Sequence, residues 1–337
     1  MTVGDHSAWR MFYRALEDVR MPLFTVLSGY VYAIRPVSDR RHLTRLVMGK
    51  VRRLLVPLVV VGTALFTVKL AIPEVNSRPE GADFWRVFFF PYEHLWFLQA
   101  VFLIFLTVGL LDAWGALASR RGWATAAGCA TLAHLVVHVP AGADVFSAES
   151  ALWLLPFFLL GHGLNRHAAL FDRRLIAGMA LAFAPLYALR LHDVVADADE
   201  GWHDWQRKAL SLSIGFLGVS LLFAARRMLA WPPLIWLGGF SFGIYLLHVF
   251  GSAAVRTFLG EVPEPMAFAA SLSAGLALPV CFELALGRYR LVSWGVLGQR
   301  PRVPAAATGA GLESVSLPVP YPEPARPSVS RDLSAQA

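Results

Sequence analysis

The sequence predicts an all-α fold, a polytopic bundle of transmembrane helices, on three observations. Apolar residues make up 56% of the 337-residue chain and charged residues only 16%, with a mean hydropathy of +0.54; soluble domains carry about 25% charged residues. The apolar residues gather in runs close to the length that hydrocarbon demands, about 20 residues for about 30 Å. The basic residues fall in alternate connectors between those runs, as in membrane proteins that keep Lys and Arg on the cytoplasmic side. A chain disordered throughout is excluded, because such chains are poor in apolar residues. The net charge of +7 and pI of 9.8 do not make a nucleic-acid binder, which needs its basic residues on one folded face.

Each element follows in order. Residues 1–20 read as an amphipathic interfacial segment, with Trp9, Phe12, Leu16 and Val19 on one face and Arg10, Arg14, Glu17 and Asp18 elsewhere. The membrane domain is assigned to 21–290. It opens with a short run at 21–34 and continues through 54–72, 95–111, 123–139, 152–164, 175–191, 207–225, 233–250 and 266–286, which makes nine visible spans. Residues 291–337 are rich in proline, serine and alanine and read as a disordered cytoplasmic tail. Cys129 and Cys281 lie inside apolar runs, read as buried thiols, and are too few for a disulfide framework.

The connectors set the orientation. Segments 35–53, 112–122, 165–174, 226–232 and the chain from 287 hold seven, two, three, two and six basic residues. The intervening 73–94, 140–151, 192–206 and 251–265 hold two, none, none and one. The first set is therefore expected inside, in the plasma or inner membrane, with the C-terminus cytoplasmic.

Several polar residues stand out against this background. Arg45, Arg52 and Arg53 lead into the run at 54–72 from the inner side. His94 begins the run at 95–111 and His248 ends the run at 233–250, both at the outer side, where His6 also falls. A histidine at a helix end also serves simply as an interfacial residue, and Tyr245 and Trp96 read as aromatics of the interfacial belt. Ser28-Gly29-Tyr30 suggests a close helix contact through a small residue. His134 and His138 are spaced to share a helix face. The acids Asp193, Asp197, Asp199, Glu200 and Asp204, with His192 and His203, fit no recognised metal spacing and read as a solvated outer loop. Glu283 and Arg190, inside spans, should face the bundle interior or snorkel.

Five segments carry a resemblance: RMPLFTVLSGY from Arg20, RLVMGKVRRLLVP from Arg45, HLWFL from His94, LPFFLLG from Leu155, and LGGFSFGIYLLH from Leu237. In that order, over about residues 19–290, they resemble the integral-membrane acyltransferase-3 family of O-acyltransferases. The resemblance implies transfer of an acyl group, acetyl foremost, from cytosolic acyl-CoA as donor to a hydroxyl of a carbohydrate or other envelope-linked acceptor, with the lipid bilayer as partner and no metal. It also implies cations for the coenzyme phosphates, for which Arg45, Arg52 and Arg53 are correctly placed, although the same arginines serve to enforce topology and meet anionic headgroups. His248 and His94 become the candidates for the acceptor side. The family's first helix carries an Arg and, some ten residues later, a His taken as the base. Nothing before residue 20 supplies that helix, so the resemblance expects the base upstream of Met1. Two rivals stay open: a transporter or exporter built on the same architecture, and an inactive homologue acting as a membrane partner.

Overall fold

A computed structural model describes residues 8–37, 39–71, 80–168, 172–196, 202–258 and 263–299. Its elements in chain order are α1 (Ala8–Ile34), α2 (Arg40–Lys50), a π-helical turn (Val51–Leu55), α3 (Val56–Ala71), α4 (Arg86–Phe89), α5 (Trp96–Ala113) and α6 (Arg120–Val136). Then come α7 (Ala148–Arg166), α8 (Arg173–Ala196), α9 (Asp204–Ala224), α10 (Pro232–Gly238), α11 (Ser241–Phe258), α12 (Glu264–Leu286) and a second π-helical turn (Val292–Val296). No strand occurs among the described residues. The all-helical outcome follows from the solvent, because a chain in hydrocarbon must satisfy its backbone polar groups within each segment.

Among the described residues, six stretches are long and apolar enough to cross a membrane: Arg40–Ala71, Gly81–Ala113, Val145–Arg166, Arg174–Val195, Asp204–Arg227 and Pro265–Leu286. Pro232–Gly238 and Ser241–Val255 make a seventh if taken as one span bent by 79°. Nine were expected. The run at 233–250 is broken because Gly238 and Gly239 interrupt it, and glycine is a poor residue for a helix interior. Of the other expected spans, α6 has only 17 residues, and α1 is diluted by the charges of its first half.

Helix ends follow local chemistry. The Asp39 carboxylate accepts from the backbone N–H groups of Arg41 at 2.8 Å and His42 at 2.9 Å, which starts α2 and holds the Asp39 carboxyl below its usual range. The Ser119 hydroxyl accepts from Gly122 N–H at 3.0 Å to start α6. Pro232 and Pro233 open α10, where a missing N–H costs nothing.

Helix α7 is the axis of the fold and packs against α1, α5, α6 and α9. Its Leu154, Phe157, Phe158 and Leu159 are fully buried. The closest approach is between α1 and α7. A Cβ on Gly29 would collide with the Phe158 carbonyl, and one on Gly161 with the Val26 carbonyl, so the backbones touch as the small residue at 29 suggested. Helices α11 and α12 form a second packed pair, while the apolar window of α8 has none of its residues buried and presents Leu181 outward.

Several expectations are corrected. The separate interfacial segment and the short run at 21–34 are one continuous helix, α1. The reason is pairing: Asp18, assigned to the solvated face, is buried against Arg190 of α8 and Ser211 of α9, so its charge no longer forces that half out of the bundle. The arginines at 45–53 stand on helix, not on a connector. Residues 291–299, read as the start of the tail, fold against α3, with Ser293, Gly295 and Leu297 buried; residues 300–337 lie outside the described residues. Cys129 and Cys281 are exposed on outward faces of their helices. Helix α6 ends at Val136, where Val137 turns extended, so His138 leaves the face that carries His134.

Candidate functional site

His94 lies in the short turn Glu93–Leu95 that leads into α5, where Glu93 adopts a positive φ of 45°. That backbone is uncommon outside glycine and needs holding. Lys69 of α3 pairs with the Glu93 carboxylate, and the Tyr245 hydroxyl of α11 donates to the His94 carbonyl. Tyr245 and Trp96, read as belt aromatics, both make contacts within the bundle. Tyr245 pins the turn, and Trp96 sits beside Trp153 of α7 with centroids 6.4 Å apart.

His248 meets His94 edge to face, ring centroids 5.0 Å apart. Carbonyl oxygens only accept, so the ring nitrogens facing them carry the protons. His94 Nε2 lies 3.1 Å from the Leu246 carbonyl, which leaves the lone pair on Nδ1. That Nδ1 is buried with no partner among the described residues. His248 Nδ1 lies 2.8 Å from the Tyr245 carbonyl and 3.1 Å from that of Ile244, which leaves its lone pair on Nε2. Each of the two neighbouring rings thus has one nitrogen engaged by a carbonyl and one that is not. His6 lies outside the described residues.

Gln99, one turn into α5, steadies this end. Its amide nitrogen donates to the carbonyls of Phe88 at 3.1 Å and Phe90 at 3.2 Å, and its oxygen accepts from the Ser147 hydroxyl at 2.6 Å. Phe146 and Ser147, at φ 57° and 54°, are held in the left-handed region beside it.

The arginines stand beside the second half of α5. Leu43 and Leu46 of α2 cover Gly109, and Lys50 Nζ sits 3.4 Å from the centroid of the Phe105 ring. Gly109 and Phe105 lie thirteen and nine residues past Trp96, about 20 and 14 Å along α5 at 1.5 Å per residue. The structure therefore brings His94 and His248 together and keeps Arg45, Arg52 and Arg53 apart from them. Arg45 and Arg53 are exposed. Arg52 is half-buried, and its Nε donates to the Gly298 carbonyl at 3.3 Å. None of the ion pairs among the described residues includes these three arginines. Gly298 has φ +60°, and a Cβ there would lie 2.7 Å from Arg53 Cα, so only glycine fits.

Sequence reading passed over a cluster at this same end. The Tyr32 hydroxyl donates to Asp112 at 2.8 Å. The fully buried His162 lies beside it, ring centroids 6.4 Å apart, and both its ring nitrogens lack a partner among the described residues. The available signal was a histidine in the apolar run LLGHG, since an ionisable group inside a span is a functional candidate by default. Glu283 does face the interior: a Cβ on Gly243 of α11 would lie 2.6 Å from its carboxylate oxygen. Of the acidic loop, Asp193 pairs with Arg190, Asp204 with Lys208, and Asp197, Asp199 and Glu200 lie outside the described residues.

Compared with known proteins, residues 2–284 match the acyltransferase-3 family model, described as an acyltransferase domain. No curated protein and no solved structure matches the chain. The family match spans most of the sequence, and the chain belongs to that family.

Proposed function

We propose, from the premise of acyltransferase-3 membership, that this integral membrane protein transfers an acyl group, acetyl foremost, from cytosolic acyl-CoA to a hydroxyl of a carbohydrate or other envelope-linked acceptor. The observation that carries the reading is the division of α5: arginines with no carboxylate partner among the described residues beside its second half, and a pair of histidines in ring contact at its start. Helices α1 and α6 are read as spans too, giving nine, with the arginine end and the C-terminus cytoplasmic by the charge of the connectors.

In this reading Arg45, Arg52 and Arg53 hold the phosphates of the donor by charge-assisted hydrogen bonds. The acceptor hydroxyl attacks the thioester carbonyl, the C–O bond forms as the C–S bond breaks, and the thiolate leaves. A base takes the hydroxyl proton, and a neutral imidazole suits the task because its proton affinity matches neutral pH. His94 and His248 are the groups proposed to handle protons on the acceptor side.

The bend of 79° between α10 and α11 supports a second reading, a transporter, since discontinuous helices are built into many transporters. Membranes carrying the complete reading frame, incubated with radiolabelled acetyl-CoA, separate the two. Label in an envelope glycan supports acyl transfer. Substrate flux across vesicles with no label from any short acyl-CoA supports the transporter.

A further inference from the structure

A cavity of about 400 Å³ opens at the histidine end of the bundle, between the first half of α1, the end of α6, the start of α7, the end of α8 and the start of α9. Its size lies in the range of small-molecule sites, about 300–1,000 Å³. Its wall does not match an apolar ligand: four basic and four acidic side chains line it. It does not match a strongly anionic one either, because carboxylates already hold Arg190 and Lys208. Arg190 is bound by Asp18 at 2.8 Å and Asp193 at 3.1 Å, and Lys208 by Glu149 at 3.2 Å. An added anion would face those carboxylates.

A wall with equal numbers of basic and acidic groups offers both donors and acceptors, which suits a ligand whose groups both donate and accept. Hydroxyls do both. Trp153 and Trp202 add two broad apolar faces, of the kind that covers the C–H face of a sugar ring. His134 also lines the cavity. It is only 5% exposed, and its Nδ1 is buried without a partner among the described residues, although buried polar atoms are ordinarily satisfied. Trp153 in turn stands beside Trp96, two residues from His94, so the cavity adjoins the histidine pair.

We infer that this cavity is a binding site for a neutral carbohydrate and holds the acceptor beside His94 and His248. The inference rests on the acyl-transfer reading for the acceptor role, and on the cavity alone for sugar binding.

The test uses the full chain in lipid nanodiscs, titrated calorimetrically with maltotriose, cellotriose and tri-N-acetylchitotriose, with trigalacturonate as the anionic control. At least one neutral trisaccharide should bind saturably. Trp202→Ala and Trp153→Ala should each weaken it about ten-fold or more, a loss of about 1.4 kcal/mol. Trp202→Phe should restore most of it, and Arg45→Ala at the far end should leave it unchanged. Thermal midpoints of the variants establish that they are folded, and Trp202, at the cavity margin, is the safer of the two. Failure of all three neutral sugars to bind, binding indifferent to both tryptophans, or equal binding of trigalacturonate overturns the inference. Labelled acetyl-CoA on the same samples separates the two readings. Transfer to a glycan that survives both tryptophan variants removes the acceptor site alone. Sugar binding without any consumption of acetyl-CoA removes the acyl-transfer reading alone.

Discussion

At the end of the bundle where α1 meets α8 and α9, Arg190 and Lys208 each touch two carboxylates, and the Ser211 hydroxyl completes the shell of Asp18 at 2.6 Å. At the opposite end Arg45, Arg52 and Arg53 stand on a single stretch of helix with no carboxylate in range among the described residues, and only Arg52 has a partner, the Gly298 carbonyl. The same residue types do different work at the two ends. A cation matched inside the fold stabilises the fold and leaves little field for a ligand. A cation left unmatched at a rim keeps its full attraction for an anion arriving from outside.

The sharpest break of this contrast is catalytic. His248→Phe removes one proton-accepting nitrogen and should lower acyl transfer by about 10²–10⁴ with little change in donor KM. His94→Phe should fall in the same range, and the double variant should lose little more, because neighbouring imidazoles act as a unit. Transfer by both single variants at the full rate would remove the pair from the mechanism.

Next in size is the matched end. Asp18→Leu leaves Arg190 short of its closest partner, and breaking a buried pair costs about 3–5 kcal/mol. A lowered thermal midpoint in nanodiscs is the expected outcome, and an unchanged midpoint would show that the pair is not a structural one. The unmatched end should behave in the opposite way. Arg45→Ala and Arg53→Ala, at exposed positions, should keep stability within about 0.5 kcal/mol. Each should raise the KM for acyl-CoA about ten-fold, as expected for a lost charge-assisted hydrogen bond of about 1.5–3 kcal/mol. Destabilisation without a KM effect would assign them to architecture.

The smallest effect expected is at Asp39. Its carboxyl is held low by the backbone N–H of His42 and nearby donors, so its ionised form favours the start of α2 at neutral pH. That support is present above the ordinary carboxylate range and is lost as pH falls through the lowered value. Hydrogen exchange at the Arg41 and His42 amides should quicken in Asp39→Ala, and in the parent protein only in acid.

Much of this was legible in the sequence. Apolar runs mark α3, α5, α7, α8, α9 and α12 because hydrocarbon fixes their length and composition. The small residue at 29 announced the α1–α7 contact because only a missing side chain permits touching backbones. What stayed hidden depends on distant partners. Asp18 looks solvated until Arg190, 172 residues later, is placed beside it. The contact of His94 with His248 needs α5 and α11 brought together, and the cavity needs five helices at once. His162 carried a visible signal, but a reading centred on helix ends passed over it.

The π-helical turn between α2 and α3 closes through a hydrogen bond from Val56 N–H to the Val51 carbonyl, one residue wider than an α-turn. That extra residue sets the phase of everything before it. Were the turn to tighten into regular α-helix, α2 would rotate by about 100° relative to α3, carrying Arg45 from one flank of the helix towards another. The bearing of the guanidinium at 45 is thus set by the winding of a single turn rather than by any contact that it makes.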